Sequence, residues 1–299
     1  MSVNQSVRIG ILGMGRMGAF LARALARSGQ DVTAVWSRDF DHAEDVAQSI
    51  PRCRPTVIPQ SAVDNADLIF ITTPDAVIES FACSLAWWRG QSVVHCSGAL
   101  DRQVLSTAAE VGADTGCFHP LQSITEASAP DALNGVAIAI EAQHLMKDRL
   151  ADIARSLGAR AVTLEPGSRA RYHAGATMAS NYLVTLASCA LELLQSAGLS
   201  RADAVDGLVS LMRGSLENVA SLSPTNALTG PIVRGDVVTV QGHLDALANS
   251  PEIADIYRCL GRQTVALAEE SGRLDHEQSR RLFRLLEECH SHERTAPCA

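Results

Sequence analysis

Val7-Arg8-Ile9-Gly10-Ile11-Leu12-Gly13-Met14-Gly15-Arg16-Met17-Gly18 is the stretch that decides the fold. A short β-branched run, 7–12, enters a G-x-G-x-x-G turn, and an amphipathic segment, 17–28, leaves it. The order strand, turn, helix makes specific a motif that is weak on its own. The first glycine permits the tight turn, the second lets the backbone approach a pyrophosphate, and the third lets the helix pack closely on the strand. The helix N-terminus then faces an anion with unpaired N–H groups. Working outward, apolar runs at 32–36, 68–72, 93–96, 115–118, 136–140 and 161–164 read as further strands. Helical patterns at 41–50, 76–85 and 102–110 separate most of them. Strands with few polar positions, alternating with helices, predict an α/β fold with a doubly wound parallel sheet covered on both faces.

The strand signal fades after Glu165-Pro166-Gly167, a turn that marks a boundary. A dinucleotide-binding Rossmann domain is expected over 1–167 and an all-α substrate and dimerisation domain over 168–299. The second half predicts helices at 169–197, 201–222, 237–249, 252–272 and 276–290. Ser200 and Asp275 stand at N-cap positions, and Gly198 and Gly272 where helices stop. The loop 223–236 is long and rich in Gly, Pro and polar residues, so it reads as a binding loop. The uncharged stretch 174–191 contains Gly175, Thr177, Ser180, Asn181, Thr185 and Ser188, too polar for a lipid-facing span. It predicts a buried helix.

Composition narrows the partners. The chain of 299 residues is 46% hydrophobic and 19% charged, with a net charge of −8, and carries the single lysine Lys147 beside 24 arginines. An acidic protein without a basic run is a poor fit to nucleic acid or anionic membrane. Eight cysteines without a C-x-x-C pair point to reduced thiols in the cytoplasm rather than a metal or disulfide framework. Residues 1–6 show no export signal, and the tail Cys289-His290-Ser291-His292-Glu293 reads as a solvated terminus rather than a metal site.

The second strand runs out at Val35-Trp36-Ser37-Arg38. About twenty residues past the glycine motif, an NAD site usually carries an acid for the ribose 2′-hydroxyl. Ser37 and Arg38 instead offer a hydroxyl and a guanidinium, which suit a 2′-phosphate. NADP is the expected cofactor, and Asp39, one residue later, keeps NAD as the alternative. Gly13, Met14, Gly15, Arg16, Met17, Gly18, Ser37 and Arg38 are the candidate contacts, with Thr73 and Pro74 after the third strand.

Four further motifs carry a family resemblance: Val94-His95-Cys96-Ser97-Gly98-Ala99-Leu100, Phe118-His119-Pro120-Leu121-Gln122-Ser123, Tyr172-His173-Ala174-Gly175-Ala176 and Leu228-Thr229-Gly230-Pro231-Ile232-Val233-Arg234-Gly235-Asp236. With the glycine turn, they resemble the 6-phosphogluconate-dehydrogenase-like group of oxidoreductases, which includes ketopantoate reductases, pyrroline-carboxylate reductases, β-hydroxyacid dehydrogenases and prephenate dehydrogenases. Most closely they resemble Rossmann-like oxidoreductases whose helical C-terminal domain has no known function. In prephenate dehydrogenases a serine after a strand and the histidine of a His-Pro pair act together on the hydroxyl. The resemblance implies those roles for Ser97 and His119. Ketopantoate reductases and β-hydroxyacid dehydrogenases carry a K-x-x-x-N pair whose lysine is the general acid. Asn181 matches that asparagine, but Thr177 stands in the lysine's place.

From the residues themselves, Ser97 and His119 follow strand ends, the sheet edge that binds ligands in open α/β folds. An imidazole suits proton donation near neutral pH. A structural histidine is the competing reading for His119, and a capping or packing role for His173. His173, Thr177 and Asn181 recur every four residues and share a helical face, so Asn181 is expected to be buried and paired. Arg234 suits a substrate carboxylate, with Thr229 beside it, or else pairs with Asp236. His95 is expected to flank the cofactor or serve the fold, and Cys96 lacks an activating base. The expected function is NADPH-dependent reduction of the C=O or C=N of a small carboxylate, ketopantoate among the candidates. His119 or His173 would give the proton, Ser97 and Asn181 would hydrogen-bond, Thr177, Thr229 and Arg234 would bind substrate, and a crevice between the domains would close. An NADP(H)-binding sensor without turnover and oxidation of a hydroxy acid are the alternatives. Little charge on 174–191, and the habit of related enzymes, suggest a homodimer.

Overall fold

A computed structural model describes residues 7–165 and 167–287. Its packing divides the chain into two compact units, Met1–Tyr182 and Leu183–Ala299. Residues 1–6, Pro166 of the boundary turn, and the tail from 288, with its cysteines and histidines, lie outside the described residues.

In the first unit the chain runs β1 (Arg8–Leu12), α1 (Arg16–Arg27), β2 (Asp31–Trp36), α2 (Phe40–Gln48), β3 (Arg54–Thr56), α3 (Pro59–Asp64), β4 (Leu68–Ile71), α4 (Asp75–Cys83) and β5 (Ser92–His95). A 3-10 turn, Arg102–Leu105, leads to α5 (Ser106–Glu110), then β6 (Asp114–Pro120), β7 (Ala137–Ala142), α6 (His144–Ser156), β8 (Arg160–Thr163) and α7 (Arg169–Ala179). The eight strands form one sheet in the order β3-β2-β1-β4-β5-β6-β7-β8. Its pairings are parallel except β6 with β7, which departs from the fully parallel sheet expected. The link 121–136 therefore returns as a hairpin-type connection and needs no crossover helix.

Burial on both faces explains why these strands lack polar alternation. Along β1, Ile9 and Ile11 join one core with Leu21 and Leu25 of α1, Val46 of α2 and Leu150 of α6. Leu12 joins the opposite core with Val63 of α3 and Ile78 of α4. In β4, Leu68 and Phe70 face the first core, and Ile69 and Ile71 the second. Each such side chain, fully buried, contributes roughly 1.5–3 kcal/mol.

The second unit is helical. α8 (Asn181–Ser196) enters it and is followed by α9 (Arg201–Ser221), α10 (Pro224–Ala227), a 3-10 turn Ile232–Arg234, α11 (Val237–Ala246), α12 (Pro251–Glu270) and α13 (His276–Glu287). The Ser200 side chain accepts from Asp203 N, as a cap should. Asp275 and Gln278 cap each other's backbone N–H groups, at 2.8 and 3.1 Å, in a reciprocal box. Gly198 and Gly272 sit at φ 98° and 69°, past the helix ends. A core of Val240, Val265, Leu282 and Leu286 holds α11, α12 and α13 together.

Three expectations for 169–197 are corrected. The helix breaks at Ser180, with ψ −71°, so α7 and α8 are separate helices and the four-residue repeat of His173, Thr177 and Asn181 does not continue on one helix. Asn181 is exposed, not buried, and its Oδ1 accepts from Ser180 Oγ at 3.0 Å. Nor does α8 become a core helix: none of its residues is fully buried. Arg169–Ser196 together are long and apolar enough to cross a membrane by length and composition alone. The domain boundary expected at 167 falls ahead of the division at 182, because α7 packs its first turns against the sheet edge.

Candidate active site

The glycine turn is built as its sequence requires. Gly13 takes φ 109°, and a Cβ there would meet Thr73 N at 2.9 Å. Thr72 Oγ1 donates to Gly13 O at 2.7 Å and clamps the turn from the neighbouring strand. A Cβ on Gly18 would lie 1.8 Å from Gly13 O, so only glycine lets α1 come this close. Around Gly15 a Cβ would meet nothing within 4 Å. Gly15 caps α1 without a side-chain hydrogen bond, and no acid occupies the helix's first turn. Open space before uncapped N–H donors is what a pyrophosphate needs. Nearby, the buried Thr73 Oγ1 has no hydrogen-bond partner among the described residues.

At the end of β2, Ser37 is half-buried and Arg38 exposed. Asp39, the reason to consider NAD, is used otherwise: it caps α2 by accepting from Asp41 N at 3.2 Å. The residues present therefore fit a dinucleotide with a 2′-phosphate. Gly13, Gly15 and the N–H groups opening α1 would hold the pyrophosphate, and Ser37 and Arg38 the phosphate. Met14 is buried in the sheet core, so its candidate contact would be through the backbone.

A second cluster lies where β5 ends and β6 continues. Their pairing stops at His95↔Cys117, so His119 projects past the end of β5 beside the turn 96–100. β6 runs through to Pro120, which places His119 inside the strand rather than after it. Gly98 is the meeting point. A Cβ there would lie 2.5 Å from His173 Nδ1 and 2.8 Å from His119 Nε2. The two imidazoles stand edge-to-face, with ring centres 6.0 Å apart. His119 Nδ1 is hydrogen-bonded to Tyr172 Oη at 2.8 Å, with those rings also edge-to-face. His173 Nδ1 is buried without a hydrogen-bond partner among the described residues.

Beneath this pair sits Arg169, 4% exposed. Its Nη2 donates to Ser97 O at 2.5 Å, and Nη1 lies 3.7 Å from Glu141 Oε2. Burial first, then the Arg169 charge, holds the His119 imidazole down to about 4, against an opposing pull from Asp75. His119 is therefore neutral at pH 7. The ordinary imidazole value from which the sequence reading started is thus lowered by burial in the fold.

Ser97 is also recast. Its hydroxyl donates to Asp75 Oδ2 at 2.7 Å and accepts from Ala99 N (3.2 Å) and Leu100 N (3.1 Å). That fixes the turn presenting Gly98 and leaves little capacity for a substrate oxygen. His95 is wholly buried, donates to Asp101 O at 3.0 Å, lies 2.9 Å from Cys117 Sγ and accepts from Ser97 N at 3.2 Å. Burial pushes it down to about 4, so it supports the fold. Cys96 is pushed up to about 12 by burial and is no nucleophile.

The structure thus brings His119, His173 and the Ser97 turn together. Thr177 lies one turn beyond His173 on α7 and is half-buried. In the helical unit Arg234 is exposed, and Asp236, its expected alternative partner, instead caps α11 through Thr239 N and Oγ1 (3.0 and 2.6 Å). Thr229 lines a cavity of about 270 Å³ with Ile232, His243 and Tyr257, the last two hydrogen-bonded at 2.8 Å. Among the described residues no group of three His, Cys, Asp or Glu is arranged for a metal. Missed from sequence were Tyr172, Arg169 and Asp75. Tyr172 stood in a quoted motif, directly before His173.

Comparison with known proteins now bears on this geometry. Residues 8–98 match the family described as NADP oxidoreductase coenzyme F420-dependent, and 136–264 match a domain of unknown function (DUF2520). The sheet unit carries an NADP oxidoreductase domain. This is the pairing the sequence motifs implied, and NADP is the cofactor it names. No curated protein matches the chain. A crystal structure of a protein described as an NADP oxidoreductase from Bacteroides fragilis is similar with TM-score 0.72 at 24% identity, covering 88% of this chain and 98% of that one. A pyrroline-5-carboxylate reductase from Streptococcus pyogenes is similar at TM-score 0.62 and 15% identity, covering 90% and 99%. A reductive aminase from Aspergillus terreus, in complex with NADPH and ethyl-5-oxohexanoate, reaches 0.58 at 16%, covering 95% and 93%. At these identities the likeness is one of fold.

Proposed function

We propose that the chain is an NADPH-dependent reductase acting on the C=O or C=N bond of a small carboxylate. The observation that carries this reading is the convergence of His119 Nε2 and His173 Nδ1 on Gly98, on the same sheet edge as the open glycine turn. When bound, NADPH supplies the hydride, and the protein supplies orientation and a proton. A neutral His119 acts as a hydrogen-bond donor to the heteroatom that gains charge. The Ser97–Asp75 link holds the turn that shapes the pocket, and His173 offers a second polar atom there. Asn181 remains a proposed hydrogen-bonding residue and Thr177 a proposed substrate contact; within the helical unit, the exposed Arg234 guanidinium, with Thr229, is of a kind that suits a carboxylate.

Oxidation of a hydroxy acid is the second reading. A neutral imidazole is competent to take the hydroxyl proton, which favours that direction equally. We also propose a cytoplasmic homodimer. Free cysteines suit a reducing compartment, and α8 and α9 leave Val184, Leu211 and Leu216 exposed at 70%, 71% and 56%.

NADPH consumption with 2-oxo acids, ketopantoate included, and cyclic imine carboxylates tests the reductase reading. NAD(P) reduction with hydroxy acids tests the reverse. Tight NADPH binding without turnover in either direction would leave only a sensor.

A further inference from the structure

We propose that Tyr172 is the proton reservoir of this site, refilling His119 through Nδ1 while Nε2 serves the reacting atom. The inference rests on the reductase reading. Tyr172 Oη and His119 Nδ1 are 2.8 Å apart, and α7 and β6 hold the rings edge-to-face at 5.5 Å. A phenol is a better donor than a neutral imidazole N–H, and an imidazole nitrogen a better acceptor than a phenol oxygen. Tyr172 therefore donates, which leaves the proton of His119 on Nε2. That nitrogen faces Gly98, where the missing Cβ makes room for it.

The proton account closes. As the hydride forms a C–H bond, the electron pair of the C=O or C=N bond moves to the heteroatom, which takes the Nε2 proton. Nδ1 takes the phenol proton, and the negative charge rests on Tyr172 Oη. Burial holds Tyr172 above the ordinary phenol value, and the Arg169 charge offsets part of that rise and so favours the tyrosinate. When product leaves, water returns a proton to Nε2, and Nδ1 gives its own back to the tyrosinate. The groups facing His119 are Tyr172, His173 and Arg169 from the α7 stretch, Asp75 from α4 and His95 from β5. Its neutral state at working pH is what lets it pass a proton in at one nitrogen and out at the other.

Histidine-labelled ¹⁵N NMR of the full chain, without ligand, tests the direction of the bond. The expected result is His119 protonated on Nε2 and unprotonated on Nδ1 at pH 7, titrating only near pH 4, with Y172F shifting the Nδ1 resonance. A protonated Nδ1 in the wild type, or an unmoved resonance in Y172F, overturns the proposal. Should Y172F not fold, the wild-type tautomer alone decides. With an active substrate, Y172F is expected to lower kcat by about 10²-fold at nearly constant KM and to abolish the alkaline fall in rate caused by ionising Tyr172. An unchanged kcat and pH profile also overturns it. Absence of any NADPH turnover defeats the reductase reading instead, and the tautomer result still stands apart from it.

Discussion

Gly98 holds the site together at the scale of single residues, because two imidazoles lie against its α-carbon. In Gly98→Ala the new methyl would overlap both His119 Nε2 and His173 Nδ1, at 2.8 and 2.5 Å. The rings must swing away, so the expected outcome is a fall in turnover of about 10²-fold with NADPH affinity retained. Steady-state kinetics with fluorescence binding measure both, and an unchanged kcat would detach the imidazoles from the chemistry. Some of this was legible in sequence. The motifs pointed to His119 and His173, and the Ser97-Gly98 pair sat at a strand end. The Ser97 role was not, since its hydroxyl is consumed by Asp75, 22 residues away. Sequence spacing gives no hint of such a contact. Arg169 was hidden likewise, because an arginine opening a helix reads as solvated until its burial against Ser97 O is seen.

Among the elements, α1 and its turn offer a clean separation of binding from stability. Gly15→Ser places a good N-cap where a side chain meets nothing, so the melting temperature should hold or rise. The same hydroxyl fills the cradle and competes for the helix's N–H donors, so NADPH should bind at least about tenfold more weakly. Calorimetry and titration on one sample read both. Lower stability with unchanged affinity would argue that no pyrophosphate sits there. Arg38→Ala should cost NADPH about tenfold or more in Kd while leaving NADH unaffected, since only the 2′-phosphate needs the guanidinium. Equal losses for both cofactors would remove Arg38 from that role. The element pattern itself was largely readable, because strands buried on both faces are long apolar runs. β3 escaped, being three residues with Pro55 at its centre, and so did α3, which opens on Pro59. β6 was read too short, because Pro120 looks like a strand end, yet the strand pairs to there with β7.

For the molecule as a whole, pH dependence and assembly are the accessible tests. His95 is fully buried, with its pKa down at about 4. Between about pH 6.5 and 4 the unfolded chain binds a proton that the folded chain refuses, so stability is present near neutrality and is lost as pH falls through that window. The loss from this residue is on the order of 3 kcal/mol when complete, and His119 adds to it. Thermal melts between pH 7 and 5 should show a steady decline that His95→Asn flattens. A melting temperature independent of pH would contradict the burial of neutral imidazoles. The proposed homodimer turns on the exposed apolar side chains of α8 and α9. Sequence reading foresaw that the uncharged stretch needs cover, and α8 has no fully buried residue. Leu211→Glu should convert a dimer to a monomer in sedimentation. A wild-type monomer would refute the interface outright.

NADPH absorbance in the presence of 2-oxo acids and cyclic imine carboxylates, followed for the wild type and His119→Ala side by side, addresses the site most directly. The account predicts consumption by the wild type with at least one of these substrates. It also predicts a kcat lower by about 10²–10⁴-fold in the variant, with NADPH affinity nearly intact. Equal rates for the two proteins on the same substrate would contradict it.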